Sequence, residues 1–142
     1  MLTVGSVVLG VADVPRALRF WSEALGYVPR GGDVGDDWVV LVPAKGTGAQ
    51  VALSLSESPV QEHPRVHLDL YAGGAADQAA EVDRLISLGA VRVDWTLYPP
   101  DADFVVLADP DGNRFCVIDT GATADPHSVS PARTRSVHPA EG

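Results

Sequence analysis

A pattern of one acidic residue, one aromatic residue and Val-Val-Leu occurs twice in the chain, as Asp37-Trp38-Val39-Val40-Leu41 and as Asp103-Phe104-Val105-Val106-Leu107. Five residues after each leucine stands a glycine, Gly46 in the first copy and Gly112 in the second. Each copy follows a helix-like segment that ends in Leu-Gly, and each of those follows an apolar strand-like segment. Because an internal repeat fixes architecture before local patterns do, the sequence predicts the order strand, helix and strands twice.

The first strand and helix can be placed from residue spacing. Apolar side chains alternate along residues 6–11, which predicts a strand with one face toward a core. Asp13 then stands where a helix N-cap belongs, and Gly26 stands where the helix ends in a left-handed conformation. The second half repeats this arrangement, with an alternating strand at 66–71 and a helix that ends at Gly89. The remaining predictions are closing strands at 48–55 and 113–119, connecting loops at 31–37 and 96–103, and a linker at 57–64.

Composition limits the classes of partner. With 46% hydrophobic and 20% charged positions, the 142 residues are typical of one globular domain. Nineteen acidic against ten basic side chains give a net charge of −9, which disfavours nucleic acid and anionic membrane surfaces as partners. Cys116 is the single cysteine, and the apolar run at 4–11 is too short to span a bilayer. We therefore expect no export signal, no transmembrane helix and a cytoplasmic location.

Several motifs in order resemble the vicinal oxygen chelate superfamily, which includes glyoxalase I, bleomycin-resistance proteins and extradiol dioxygenases. The first half contributes residues 7–13, 16–21 and 25–27, and the second contributes 65–70, 80–85, 88–90 and 109–117. The chain looks most like the glyoxalase-like branch common in actinobacterial proteins. The resemblance implies an α+β fold in which two tandem βαβββ modules form a cup-shaped, curved mixed sheet with helices outside.

The resemblance covers a single domain at 1–120, made of modules 1–58 and 64–120. Residues 121–142 lack apolar periodicity, which predicts a mobile C-terminal tail. Its two histidines, His127 and His138, are interpreted as bystanders, since a disordered segment makes a poor ligand set.

In this superfamily the metal ligands lie on the opening and closing strands of each module. The resemblance places His67 at the second opening position, Ser6 at the first, Cys116 at the second closing position and Ser54 or Ser56 near the first. Because only His67 is a strong donor of the usual kind, we expect no metal cofactor. If a divalent metal is present, His67 would bind it with Cys116 and Asp69, which alternation places on the same face as His67.

Each candidate residue also has a structural interpretation. His67 could simply be a histidine hydrogen-bonded to Asp69, and Cys116 is more simply explained as core packing. The turn at 109–113 is expected to do no chemistry. The predicted catalytic pair is His67 and Asp69. The predicted ligand pocket comprises Ser6, Trp38, Ser54, Ser56, His67, Asp69, Trp95, Tyr98, Phe104, Arg114 and Cys116.

The resemblance leaves more than one function open. The favoured hypothesis is a bleomycin-resistance-like protein that binds a small organic molecule in the cup, without a metal. The alternatives are a metal-dependent glyoxalase-like lyase or isomerase or an extradiol-type dioxygenase, and a metal-free enzyme with His67 as general base. A third outcome is a vestigial cup in a protein that acts only through its surface. A second subunit often completes such a cup, so we predict a homodimer.

Overall fold

A computed structural model of the chain describes residues 1–121. Each half contains one helix and one four-stranded sheet, and the elements follow one another as predicted. The first half consists of β1 (Ser6–Val11), α1 (Val14–Leu25), β2 (Tyr27–Pro29), a single 3-10 turn at Arg30–Gly32, β3 (Trp38–Pro43) and β4 (Gln50–Leu55). The second consists of β5 (Asp69–Tyr71), α2 (Ala75–Leu88), β6 (Val91–Arg92), β7 (Phe104–Ala108) and β8 (Arg114–Ile118).

The two sheets have the same topology. The strand order is β1-β4-β3-β2 in the first sheet and β5-β8-β7-β6 in the second. The opening strand of each module runs parallel to the closing strand, and the other neighbours are antiparallel. Both sheets are open and mixed. The predicted α+β class with two βαβββ modules is therefore confirmed.

The start and end of α1 follow the sequence signals. The side chain of Asp13 accepts a hydrogen bond from the Arg16 backbone N–H at 2.9 Å, and Gly26 ends the helix at φ 66°. Arg84 on α2 donates to the carbonyl oxygens of Glu23 and Ala24, which are among the last of α1. Because terminal carbonyls have no partner within their own helix, this contact also fixes the two helices to each other.

One core joins the two modules. Phe20 and Trp21 of α1 pack against Phe115 of β8, with the rings of Trp21 and Phe115 5.2 Å apart at 64°. Each sheet uses one face for this core: Val39 and Leu41 in the first sheet, and their counterparts Val105 and Leu107 in the second. We call the opposite face of each sheet its helix-free face, and it carries the candidate site residues.

The opening strand of the second module is shorter than predicted. Only Asp69–Tyr71 is a strand, and Val66, the first residue of the predicted strand, is 78% exposed. The parallel register pairs Asp69 with Cys116, so residues before 67 extend past Arg114, where β8 begins. Without a partner strand, this segment has no ladder to join.

No helix within residues 1–121 has the length and apolar character needed to cross a bilayer. The predicted tail at 121–142, with His127 and His138, lies outside the described residues except for Gly121.

Candidate functional site

His67, Asp69 and Cys116 lie together at the edge of the second sheet. The His67 Nε2 and Asp69 Oδ1 atoms are 3.1 Å apart. One ligand atom from each of the three residues lies within 4.8 Å of the other two. The side chains of His67 and Asp69 are about one-third exposed, at 34% and 32%, whereas Cys116 is 6% exposed. The structure thus brings together the three residues that the sequence proposed as a set.

Strand geometry explains this grouping. His67 and Asp69 are two residues apart in extended chain, so their side chains point to the same side. Asp69 is the register partner of Cys116, and the Cys116 backbone N–H donates to the Leu68 carbonyl at 2.9 Å. The neighbouring parallel strand therefore adds the thiol beside the imidazole and the carboxylate.

The His67–Asp69 contact defines what the imidazole can do. In the tautomer that carries its proton on Nε2, His67 donates to Asp69 and leaves Nδ1 as a proton acceptor. A carboxylate in this position orients the imidazole ring. The pair can accept a proton from a bound molecule or donate a hydrogen bond to it.

Cys116 has a different environment. It is buried with Val106 and Ile118 on the helix-free face of the second sheet, and Trp95 and Phe104 pack against them. Free cysteine commonly behaves as a small buried hydrophobe. The packing interpretation of Cys116 therefore agrees with its surroundings.

The strand pairing identifies the first-module counterparts of these residues. Val106 of the repeated motif pairs with Cys116, and its counterpart Val40 pairs with Ala52, so Ala52 occupies the position of Cys116. The expectation of Ser54 or Ser56 there is therefore corrected, because the hydrogen-bonded register differs by two or more residues. Ala52 in turn pairs with Val8, which makes Val8 the counterpart of Asp69 and Ser6 that of His67.

A groove of about 290 Å³ lies between β1 and the segment that leads into β5, and we call it the inter-module groove. Its apolar wall comes from Val8, Val66 and Phe115, and Ser56, His67 and Arg114 also line it. Ser56 accepts a hydrogen bond from the Ser58 backbone N–H at 3.1 Å. Three predicted pocket residues, Ser56, His67 and Arg114, therefore contribute to one groove.

The other predicted pocket residues lie elsewhere. Ser6, Trp38 and Ser54 belong to the first sheet, where Trp38 pairs with Ser54 and is 47% exposed, and they do not line the inter-module groove. Tyr98 and Phe104 have ring centroids 5.3 Å apart, and the Tyr98 hydroxyl accepts the Val106 backbone N–H at 2.7 Å. These two rings therefore hold the 96–103 loop on the second sheet.

Sequence reasoning missed a buried polar network behind the groove. Asp109 is 2% exposed and accepts hydrogen bonds from the Trp21 indole N–H at 3.1 Å and the Asn113 backbone N–H at 2.8 Å. Asp111 accepts from Arg16 Nη2 at 2.7 Å and from the Ala12 backbone N–H at 2.9 Å. We call Arg16, Trp21, Asp109, Asp111 and Asn113 the inter-module clasp.

Burial raises the pKa of Asp109 above its ordinary value, while the hydrogen bonds from Asn113 and Trp21 act in the opposite direction. The turn at 109–113 forms as predicted, with Gly112 at φ 91°. One sequence signal could have revealed its second role. A tryptophan on the buried face of α1 needs an acceptor for its indole N–H, and the turn carries two carboxylates.

The donor set decides which metal the site would suit. Ser6, Val8 and Ala52 give the first module no carboxylate or imidazole, so an octahedral site for Mg²⁺, Mn²⁺ or Fe²⁺ does not fit these residues. His67, Asp69 and Cys116 together are a donor set of the kind that Zn²⁺ accepts, with three protein ligands and one open position.

Comparison with known proteins agrees with the fold and the repeated motifs. The family model described as "Glyoxalase-like domain" matches residues 6–118. The chain belongs to this glyoxalase-like domain family. The assignment of the chain to an actinobacterial branch of this family stays a prediction. No curated protein matches the sequence.

Solved structures share the architecture at low sequence identity. A glyoxalase-related enzyme from Fulvimarina pelagi is 20% identical with a TM-score of 0.62, over 83% of this chain and 88% of that one. A glyoxalase/bleomycin resistance protein/dioxygenase family enzyme from Burkholderia phytofirmans PsJN is 14% identical with a TM-score of 0.64, over 82% and 97%. A fosfomycin resistance protein from Mesorhizobium loti is 15% identical with a TM-score of 0.59, over 83% and 91%. At these identities the likeness establishes the fold alone.

Proposed function

We propose that this protein binds a small organic molecule in the inter-module groove and does so without a resident metal. The observation that carries the proposal is the groove itself, about 290 Å³ in volume and lined by apolar and polar side chains together. Ligand sites in proteins are usually concave and mainly apolar, with a few polar groups that fix orientation. A fosfomycin resistance protein that bears this fold supports the binding of a small organic molecule by analogy.

The residues in the groove suggest how a ligand is held. Val8 is 52% exposed and Val66 is 78% exposed, so a bound molecule would remove apolar surface from water at both. His67, already oriented by Asp69 at 3.1 Å, supplies one directional hydrogen bond. The net charge of −9 favours a cationic or polar guest over an anionic one at long range.

The metal-free part of the proposal rests on the missing ligands of the first module. Ser6 and Ala52 stand where the superfamily pattern places an imidazole and a carboxylate. Metal content of the tag-free protein, measured by mass spectrometry beside His67→Ala, tests this part. We expect far less than one metal per chain in both proteins. A stoichiometric metal in the wild type that is lost in His67→Ala would overturn it.

Binding itself is tested by a screen of small organic molecules with thermal unfolding and calorimetry. Val66→Arg should block the groove and abolish a saturable hit, because Val66 is exposed in its wall. Val34→Arg is the control, since Val34 is also exposed, at 53%, and does not line the groove. A hit that both variants bind like the wild type would place the ligand elsewhere.

A zinc-dependent enzyme is the second candidate, and the spacing of His67, Asp69 and Cys116 favours it. Their ligand atoms lie within 4.8 Å of one another, and Zn²⁺ bound there would act as a Lewis acid on a substrate oxygen. Calorimetric titration with Zn²⁺ tests this candidate. Tight 1:1 binding that Asp69→Asn and Cys116→Ala each weaken by more than about tenfold would favour the zinc enzyme. Equal weak binding by all three proteins would exclude it.

The homodimer is also part of the proposal. The helix-free face of the first sheet exposes Val8, Val28 and Trp38 by 52%, 44% and 47%, and the strand pairing puts all three on one side. Exposed apolar side chains that share one face of a sheet support an interface with a second copy. Light scattering at micromolar concentration should give twice the chain mass of 14.9 kDa. A mass of one chain would refute the dimer, and Trp38→Lys should produce monomers if this face forms it.

A further inference from the structure

A second groove, of about 800 Å³, lies on the far side of Arg114 from the inter-module groove. Its walls come from the end of the linker at 62–63, from residues 91–96 and from the turn around Gly112. Arg114 lines both grooves. His67, Asp69 and Cys116 do not line the second groove. We call it the Arg114 groove.

The Arg114 side chain lines this groove as well as the inter-module groove. In the antiparallel register Arg114 pairs with Ala108, and both lie on the helix-free face together with Val106 and Cys116. The Arg114 Nη1 donates to the Gly112 carbonyl at 2.7 Å, which holds the guanidinium in place. The three ion pairs found among residues 1–121 do not include Arg114, so no carboxylate in this part of the chain lies within ion-pair distance of its guanidinium.

Two aromatic rings form another wall of the Arg114 groove. The rings of His63 and Trp95 have centroids 5.0 Å apart and planes inclined at 50°. Trp95 also packs against the cluster of Val106, Cys116 and Ile118, so the sheet supports the indole from below. A flat ring can therefore stack on a supported aromatic surface next to a fixed guanidinium.

The acidic side chains of the groove do not cancel this arrangement. Glu62, Asp94 and Asp109 line it too, as does the cation Arg92. Glu62 and Asp94 are exposed and belong to the linker and a loop, whereas the Asp109 carboxylate is buried and accepts the indole N–H of Trp21 in the core. The net charge of −9 opposes the approach of an anion at long range, but water and salt screen these exposed charges strongly. At contact distance the half-buried, anchored Arg114 guanidinium is the nearer charge. A carboxylate has the planar geometry that takes two parallel N–H donors from one guanidinium.

We propose that the Arg114 groove binds planar aromatic carboxylates, with the carboxylate on Arg114 and the ring on Trp95 and His63. This site is separate from the proposed function, since it uses the opposite side of Arg114 and requires neither a ligand in the inter-module groove nor a metal. A bicyclic aromatic acid is small against a volume of about 800 Å³ and fits without rearrangement.

Calorimetric titration of the full chain with 2-naphthoate tests the proposal, with the neutral 2-naphthamide as matched ligand. We expect saturable 1:1 binding of naphthoate that is at least about tenfold tighter than binding of the amide. Arg114→Gln should remove most of this preference for the acid. Arg19→Gln, an exposed arginine on α1, carries the same charge change and should leave binding unchanged.

Trp95→Leu tests how much aromatic stacking contributes to naphthoate affinity, separately from the charge of Arg114. It should weaken naphthoate about tenfold while the preference for acid over amide persists. Thermal unfolding of every variant establishes that it is folded. If Arg114→Gln fails to fold, His63→Ala, at an exposed linker position, takes its place and should weaken naphthoate several-fold.

Three results would overturn the proposal. They are no saturable naphthoate binding by the wild type, equal affinity for acid and amide, or unchanged naphthoate affinity in folded Arg114→Gln. Failure of the ligand screen in the inter-module groove would leave these measurements untouched.

Discussion

Replacing Asp109 by asparagine tests whether the clasp holds the two modules together. Asp109 is 2% exposed, and its carboxylate accepts four hydrogen bonds, two at each oxygen. An asparagine amide has a single oxygen, so two of the four donors lose their acceptor in either orientation of the amide. The substitution changes almost no volume, which isolates the hydrogen bonds from packing.

The less costly orientation keeps the amide oxygen on the backbone N–H groups of Asp111 and Asn113. The new NH₂ group then faces the Trp21 indole N–H and the Asn113 side-chain amide. Asn113 Nδ2 still donates to the Gly10 carbonyl at 2.9 Å, so the indole N–H is the main group left without a partner. A buried donor without an acceptor costs about 1–3 kcal/mol, and we expect the free energy of unfolding to fall by about 2 kcal/mol.

A double-mutant cycle with Trp21→Phe checks the assignment. Phenylalanine has no N–H for the asparagine to face, so the cost of Asp109→Asn should shrink by about 1–2 kcal/mol in that background. Urea unfolding followed by far-UV circular dichroism suits all four proteins, because this signal does not depend on the replaced indole. Asp83→Asn, exposed on α2, is the control. Effects of the two substitutions that add to within about 0.5 kcal/mol would refute the reasoning.

Three further predictions concern pH, the helix cap and the strand register. Burial raises the folded-state pKa of Asp109, so the stability that this group contributes is present below about pH 4 and is lost as pH rises through the folded-state pKa. Asp109→Asn should therefore lack this fall of the free energy of unfolding with pH in urea unfolding. Parallel pH profiles of the wild type and the variant would contradict the assignment. Asp13→Ala removes the cap on the Arg16 N–H and should lower the free energy of unfolding by about 1 kcal/mol, so an unchanged urea midpoint would argue against the cap. Ser6→His combined with Cys116→Glu restores two superfamily ligands and should create Mn²⁺ or Ni²⁺ binding in calorimetry, whereas unchanged affinity would mean that the register is wrong.

The fold was predictable because its signals are local and repeated. The strand at Ser6–Val11 has the bounds that its alternation predicts, and α1 has the predicted cap at Asp13 and left-handed end at Gly26. The opening strand of the second module was less predictable. Alternation over 66–71 indicated a full strand, but β8 begins only at Arg114, so the earlier residues find no ladder.

The candidate site was predictable only in part. Alternation alone puts His67 and Asp69 on one side, whereas the place of Cys116 beside them depends on the parallel pairing of β5 with β8. The first-module counterpart of Cys116 was misplaced, because the sequence does not reveal that Val40 pairs with Ala52. The grooves depend on the linker and the 96–103 loop, whose conformations follow no periodic pattern.

The sequence by itself determined the repeated order of strand, helix and strands and the start and end of the first helix. These features depend on residue type and on spacings within one element, where backbone geometry leaves few alternatives. Only the tertiary structure decided that Trp21 meets Asp109, 88 residues away in sequence, and that Arg114 divides two grooves. Such contacts depend on how the two modules dock, and docking is set by the summed packing of many side chains rather than by any one motif.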